Sequence, residues 1–268
     1  MERLYWHRQK PNEPLFPALS WSRPQNRQSA GKLLIIGGNL HSFAAVGESY
    51  TIAVKAGIGT ARVILPDALQ KTIGKVFEAG EFVPSTPSGS FAQKAIAPIL
   101  DAALWADALL IAGDLGRNAE TAILVEALLH KTTIPTVVTQ DAVDYVTSTP
   151  TIGKARKNTT LALSLSQLQR LAIATKYTEA ITYSMDMIRL TEWLHNFTLA
   201  FPLFIITEHN EMMIVAVNGE VSTTRAPENT PIWRVQTASR ASVWWLQNTG
   251  KAFEALTTAM LNKDEVSF

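Results

Sequence analysis

Three short stretches carry the residue types that chemistry at a phosphate or a mobile proton would need. Gly37-Gly38-Asn39 follows the apolar run 33–36, Gly113-Asp114 and Gly116-Arg117 follow the run 108–112, and Asp141 follows 136–139. Glycine is required where the backbone takes positive φ or approaches an anion closely, and a helix starting after such a turn presents unpaired N–H groups to phosphate. Gly37, Gly38, Asn39, Gly113 and Gly116 are therefore candidate ligand-binding positions, although tight strand-to-helix turns demand glycine as well. Asp141 and Asp114 are the candidate catalytic carboxylates. Each has a second reading. Asp114 could hold Mg²⁺ or a hydroxyl group, or cap the helix starting near Asn118 or Ala119. Asp141 could face a ligand at the sheet edge, or be the N-cap of the helical segment it opens. Arg117 could reach a phosphate and Arg240 another anion, since the guanidinium fork suits such groups. Either could instead be an ordinary surface arginine. His41 is the one histidine near the glycine turn and has no companion at metal-ligand spacing, so no metal-ligating set is assigned.

A scaffold must bring these strand ends together, and the alternation of apolar runs with helix-period segments supplies one. Strands are expected at 33–36, 61–65, 108–112, 136–139 and 160–163, with helices at 42–56, 91–105, 121–130 and 141–146. This order predicts βαβ crossovers and a parallel sheet covered on both faces. Ligands in such a sheet gather outside the carboxyl ends of the strands, where the three stretches fall. Further on, 185–201 reads as helix and 203–207 as strand. Asn218-Gly219 joins 212–217 to 220–223 as a hairpin, and 238–261 reads as two helices divided at Thr249-Gly250. The segment 147–159, with Pro150 and Gly153, reads as a loop. Residues 1–30 hold four prolines among Trp6, Phe16 and Trp21, which predicts an extended arm with pinned aromatics and excludes a regular helix or central strand.

A chain of 268 residues, 47% apolar, can bury one large α/β core. A formal net charge of +1 leaves no global field for nucleic acid or an anionic membrane, so neither partner is expected. Cysteine is absent, which removes disulfides and thiolate chemistry and fits a reducing compartment. The charged, proline-bearing start MERLYWHRQKPNEP is unlike a signal peptide, and a cytoplasmic location is expected. The residues that a nucleophile elbow, a P-loop or an HExxH zinc site requires are missing.

Taken in order, the segments from Lys32 to Met260 resemble the ADP- or ATP-dependent NAD(P)H-hydrate dehydratase family, a branch of the ribokinase-like superfamily. The family's Gly-Gly strand end and glycine-spaced turn look like Gly37-Gly38 and KAGIGTARVILP with Gly57 and Gly59. Its GPGLG is similar to AGDLGR at 112–117, its VLDADAL to VTQDAVD at 138–144, and its TPHPGE with the following Arg-Leu to ALSLSQLQRL at 162–171. Its GTGD helix start falls on Thr237-Ala238-Ser239-Arg240. The resemblance implies a three-layer α/β/α sandwich with a mostly parallel central sheet over residues 31–268, preceded by the arm 1–30. It further implies ADP or ATP with Mg²⁺, a small-molecule ligand and a homo-oligomer.

The departures from the family pattern carry chemical meaning. Arg240 stands where the family has its proton-exchanging aspartate, and a guanidinium does not accept a proton near neutral pH. Asp114 replaces the middle glycine of GPGLG. Ser164 and Gln167 replace the histidine and glutamate of TPHPGE, while Asp141 keeps the second aspartate of DADAL. The expectation is a divergent relative that binds a nucleotide or other anionic metabolite with impaired or lost family catalysis. The alternatives are an active dehydratase or small-metabolite kinase using Asp141 or Asp114, and a structural or assembly protein with a filled cleft.

Overall fold

The computed structural model of the protein describes residues 3–74, 77–149, 156–226 and 233–261. Its centre is a ten-stranded sheet. The strands are β1 (Trp6–Gln9), β2 (Lys32–Gly37), β3 (Thr60–Pro66), β4 (Gly80–Val83) and β5 (Ala108–Gly113), followed by β6 (Thr136–Thr139), β7 (Thr159–Ala162), β8 (Leu203–His209), β9 (Met212–Val217) and β10 (Glu220–Arg225). Their spatial order is β1-β10-β9-β8-β7-β6-β5-β2-β3-β4, and β9 alone pairs antiparallel with its neighbours.

Strand β2 shows why the buried strands read as unbroken apolar runs. Leu34 and Ile36 enter one core, Leu33 and Ile35 enter the other, and all four are fully buried. A parallel sheet covered on both faces has no polar side to alternate toward. The first core packs under α4 (Ile96–Trp105), α5 (Ala119–Lys131), α6 (Ala142–Ser148), α7 (Leu165–Thr175) and α8 (Met187–Ala200), contributing Ile99, Leu124, Val143, Leu168 and Leu194. The second packs under α2 (Ala44–Lys55), α3 (Gln70–Ile73), α9 (Trp233–Gln247) and α10 (Ala252–Ala259), through Val46, Ala53, Ile73, Trp245 and Leu256. The three-layer sandwich with a mostly parallel sheet is as expected. No helix among the described residues is long and apolar enough to cross a membrane.

Five features depart from the sequence reading. The proline-rich start does hold a helix, α1 (Pro17–Trp21), because Pro17 sits in its first turn, where the missing N–H costs nothing. Residues 6–9 form an edge strand, pairing parallel with β10. Strand β4 and helix α7 were not expected; α7 is announced by a capping box in which Ser164 and Gln167 each bond the other's backbone N–H. Helix α9 is already formed at Trp233, ahead of the expected start at 238. Of the loop expected at 147–159, residues 150–155 lie outside the described residues.

The Asn218-Gly219 hairpin forms as expected, both residues taking positive φ, with Val217 opposite Glu220. At the far end of the sheet, buried Arg156 closes the carboxyl end of α5. It donates to the carbonyls of Leu129, Thr132 and Ile134 and to the hydroxyls of Thr136 and Thr159. Burial lowers its pKa to about 10, while its hydrogen bonds satisfy the helix's last carbonyls.

Candidate functional site

The carboxyl ends of β2, β5 and β6 meet, and their glycines are there for closeness. Gly38 N–H donates to the Gly113 carbonyl at 2.9 Å. A Cβ on Gly37 would stand 2.5 Å from that oxygen and 2.7 Å from Val46 Cγ2. Gly113 itself takes φ 102° against Gln140, so neither position tolerates a side chain. Asn39 bridges the turns: Nδ2 donates to the Asp114 carbonyl at 2.6 Å, and Oδ1 accepts from His41 N–H at 2.8 Å. Six of the candidate residues, Gly37, Gly38, Asn39, Gly113, Asp114 and Gly116, thus form one cluster, and Asp141 joins it.

The two carboxylates behave differently. Asp114, with φ 56°, accepts from Ala45 N–H at 2.8 Å and so caps α2 from across the cluster. The helix it was expected to cap, α5, is capped by Asn118, which accepts from Glu120 at 2.9 Å and Thr121 at 3.4 Å. Asp141 precedes α6 but makes no cap bond to it. Its Oδ2 accepts from Gly116 N–H at 2.9 Å, and its buried Oδ1 has no hydrogen-bond partner among the described residues. Burial pushes its pKa above the ordinary carboxylate value, and the nearby charge of Asp114 adds to the rise, against the Gly116 bond. One turn along α6, the Tyr145 hydroxyl donates to the Gly116 carbonyl and accepts from Asn118 N–H at 3.2 Å.

Around this cluster runs a polar network that sequence reasoning did not assemble. Gln167 Nε2 donates to the Gln140 carbonyl at 2.8 Å and to Asp144 at 3.1 Å, while its Oε1 accepts from Ser164 N–H at 3.1 Å and Arg234 at 2.8 Å. Arg170 pairs with Asp144 at 2.7 Å. Between them a cleft of about 450 Å³ opens beside Asp141, lined by Arg117, Asn118, Tyr145 and Arg170. An acid with a raised pKa, flanked by guanidinium groups and a helix start, can hold a proton and seat an anion.

Arg240 has a different place from the one expected. Because α9 is under way by Trp233, Thr237-Ala238-Ser239-Arg240 lies inside the helix, not at its start. Arg240 shares a helix face with Gln236, which donates to Glu48 of α2 at 2.9 Å. The cation at the start of α9 is Arg234. Pro231 upstream was the available signal for the earlier start, since proline marks helix beginnings. Tyr145 was signalled by its spacing one turn after Asp141, and Gln167 by the capping-box spacing after Ser164.

No family model matches the chain. Over 163 residues, 55% of the chain, it is 29% identical to the bifunctional NAD(P)H-hydrate repair enzyme Nnr of Moorella thermoacetica, and it spans 31% of that protein's length. Among solved structures, a ribokinase-like superfamily protein from Enterococcus faecalis matches with TM-score 0.71 at 13% identity, covering 100% of this chain and 93% of that one. The ADP/ATP-dependent NAD(P)H-hydrate dehydratase of Bacillus subtilis, crystallised with ATP and Mg²⁺, matches with TM-score 0.62 at 11% identity, covering 93% of this chain and 87% of that one. The chain therefore has the ribokinase-like fold and, by sequence, is related to the NAD(P)H-hydrate repair enzymes.

Proposed function

We propose that the protein binds a nucleotide or another anionic metabolite at the carboxyl edge of its sheet, as a divergent NAD(P)H-hydrate dehydratase relative with impaired or lost family catalysis. The observation that carries this reading is the composition of α9. Its sequence, WRVQTASRASVWWLQ, contains no Asp or Glu, so no shift of register along it restores a proton-accepting carboxylate. Loss of a positioned acid–base group lowers a rate by about 10² to 10⁴. The glycine turns at Gly37, Gly38, Gly113 and Gly116 persist, with Asn39 bridging them. Arg117 and Arg240 supply positive charge in this reading.

The dehydratase of B. subtilis was crystallised with ATP and Mg²⁺. Among the described residues no group of three or more His, Cys, Asp or Glu could hold a metal. Asp114 and the unpartnered Asp141 Oδ1 fit the lesser role, in which one or two carboxylates meet an ion carried mainly by phosphates. The ion would supply charge neutralisation at those phosphates.

One observation favours the active-enzyme alternative: Asp141 has the buried oxygen and raised pKa of a proton-exchanging acid. The open cleft beside it argues against a filled, purely structural core. A thermal-shift screen with ADP, ATP, AMP, NAD and NADP, with and without Mg²⁺, tests binding. A ligand at a hundred times its Kd stabilises by about 2.7 kcal/mol, and no shift with any of them rejects the reading. Incubation with hydrated NADH and nucleotide tests catalysis, through recovery of NADH absorbance. Recovery at a full enzymatic rate would replace the impaired reading with the active one.

A further inference from the structure

We infer that Asn218-Gly219 is a latent modification site, a pair that cyclises and deamidates when freed and is held shut by the last turns of α8. It is the only Asn-Gly pair in the sequence, at a hairpin tip where Asn218 is exposed and both residues take positive φ. Glycine makes the reaction easy, because a nitrogen with no Cβ beside it approaches the asparagine side chain without steric cost. The Gly219 nitrogen attacks Asn218 Cγ and forms a C–N bond, and the side-chain amide leaves as ammonia, taking the proton the glycine nitrogen gives up. Water then opens the cyclic imide at either carbonyl, leaving aspartate or isoaspartate and a new negative charge. Isoaspartate also lengthens the backbone by a methylene. The two-residue turn between Val217 and Glu220 has no slack to absorb it, so the β9–β10 register is at stake.

The fold closes this route at the attacking atom. In the imide the Gly219 nitrogen carries Asn218 Cγ in the place where it now carries hydrogen. That hydrogen is given to Thr198 Oγ1, 3.0 Å from the nitrogen, so the hydroxyl stands where the electrophile must arrive. Thr198 is 3% exposed, and its hydroxyl donates in turn to the Leu194 carbonyl at 2.9 Å, which fixes the oxygen in place. On the other side of the same residue, His195 Nδ1 donates to the Gly219 carbonyl. Leu199 lies over the α-carbon, where an added Cβ would stand 2.7 Å from its Cδ2, and this contact gives a use to a leucine that is 62% exposed. Tyr5 stacks on His195 with ring centroids 4.0 Å apart, so the residues leading into β1 back the latch.

The test incubates wild type, Thr198→Val and Thr198→Ser at mildly alkaline pH, with wild type in denaturing urea as the unguarded reference. Peptide mass spectrometry reads aspartate and isoaspartate at position 218. Folded wild type should convert at least about tenfold more slowly than the urea-unfolded chain, since the reaction waits on local opening. Thr198→Val removes the hydroxyl at nearly constant shape and should convert at least about fivefold faster than wild type. Thr198→Ser keeps the hydroxyl and should stay near the wild-type rate. Folded Thr198→Val converting no faster than wild type, Thr198→Ser converting as fast as Thr198→Val, or folded wild type converting as fast as the unfolded chain would each overturn the assignment. If Thr198→Val does not fold, amide exchange in wild type decides: protection of the Gly219 N–H well beyond that of Asn218 supports the latch, and equal exchange at the two overturns it.

Discussion

Asp141, just ahead of α6, and Tyr145, one turn along that helix, hold Gly116 from both sides: the carboxylate takes its N–H and the phenol donates to its carbonyl. The turn before α5 is therefore held by another helix. Replacing Tyr145 by Phe removes the bond to Gly116 and the one received from Asn118, which should cost about 1–3 kcal/mol of stability. Amide exchange at Gly116 and Asn118 should quicken in that variant more than exchange in β2. Uniform quickening across the sheet would show that the phenol does not hold the turn specifically.

Asp141 should make stability depend on pH in a defined direction. Its folded pKa lies above the ordinary value of about 3.9, so the folded state holds the proton more tightly than the unfolded chain does. Stability from this group is full below about pH 3.9 and is lost as pH rises through the folded pKa. Relative to wild type, Asp141→Asn should therefore gain stability over that window and keep the gain at neutral pH. Denaturant midpoints measured without Mg²⁺ from pH 3 to 8 check this; a difference that is flat with pH contradicts it.

Two glycines should respond oppositely to alanine. At Gly37 the new methyl meets the Gly113 carbonyl and Val46, both in the packed core, and the substitution should cost at least about 1–3 kcal/mol. At Gly47, inside α2, nothing lies within 4 Å, so alanine should stabilise by roughly 0.5–1 kcal/mol. Thermal unfolding of the two variants settles the sign of each.

Arg156→Met should be among the more damaging single changes outside the site. It would leave the carbonyls of Leu129 and Thr132 without the Arg156 donor, at about 1–3 kcal/mol for each group left unsatisfied, while the Ile134 carbonyl keeps its bond from the Thr136 hydroxyl. Chemical denaturation should reveal the loss. A variant within 0.5 kcal/mol of wild type, the range of roughly neutral surface changes, would falsify the capping role.

What the sequence disclosed and what it withheld divide along range of interaction. Runs such as 33–36 were legible because burial on both faces leaves an unbroken apolar signature, and Asn218-Gly219 because positive φ is a local demand. The half-buried β4 carries neither signal. The partner of Asp114 could not be read, since Ala45 lies 69 residues away. For Arg234, placement depends on Gln167, whose own orientation depends on Gln140 and Asp144. Thr237 and Ser239 invited placement of a helix start, yet both are buried within α9, and the Ser239 hydroxyl bonds the Val235 carbonyl one turn back.

Strand β1 is stitched to β10 along Trp6–Gln9, and the Gln9 amide reaches onward to Thr224 and to the Thr257 carbonyl of α10. Of these two paired strands, the one made first thus finds its neighbour only after residues 220–225 have been made. Such distant pairing raises contact order and slows the closing of the sheet. During synthesis Trp6–Gln9 must wait unpaired, so this outer edge of the sheet is completed by two segments that lie 215 residues apart in sequence.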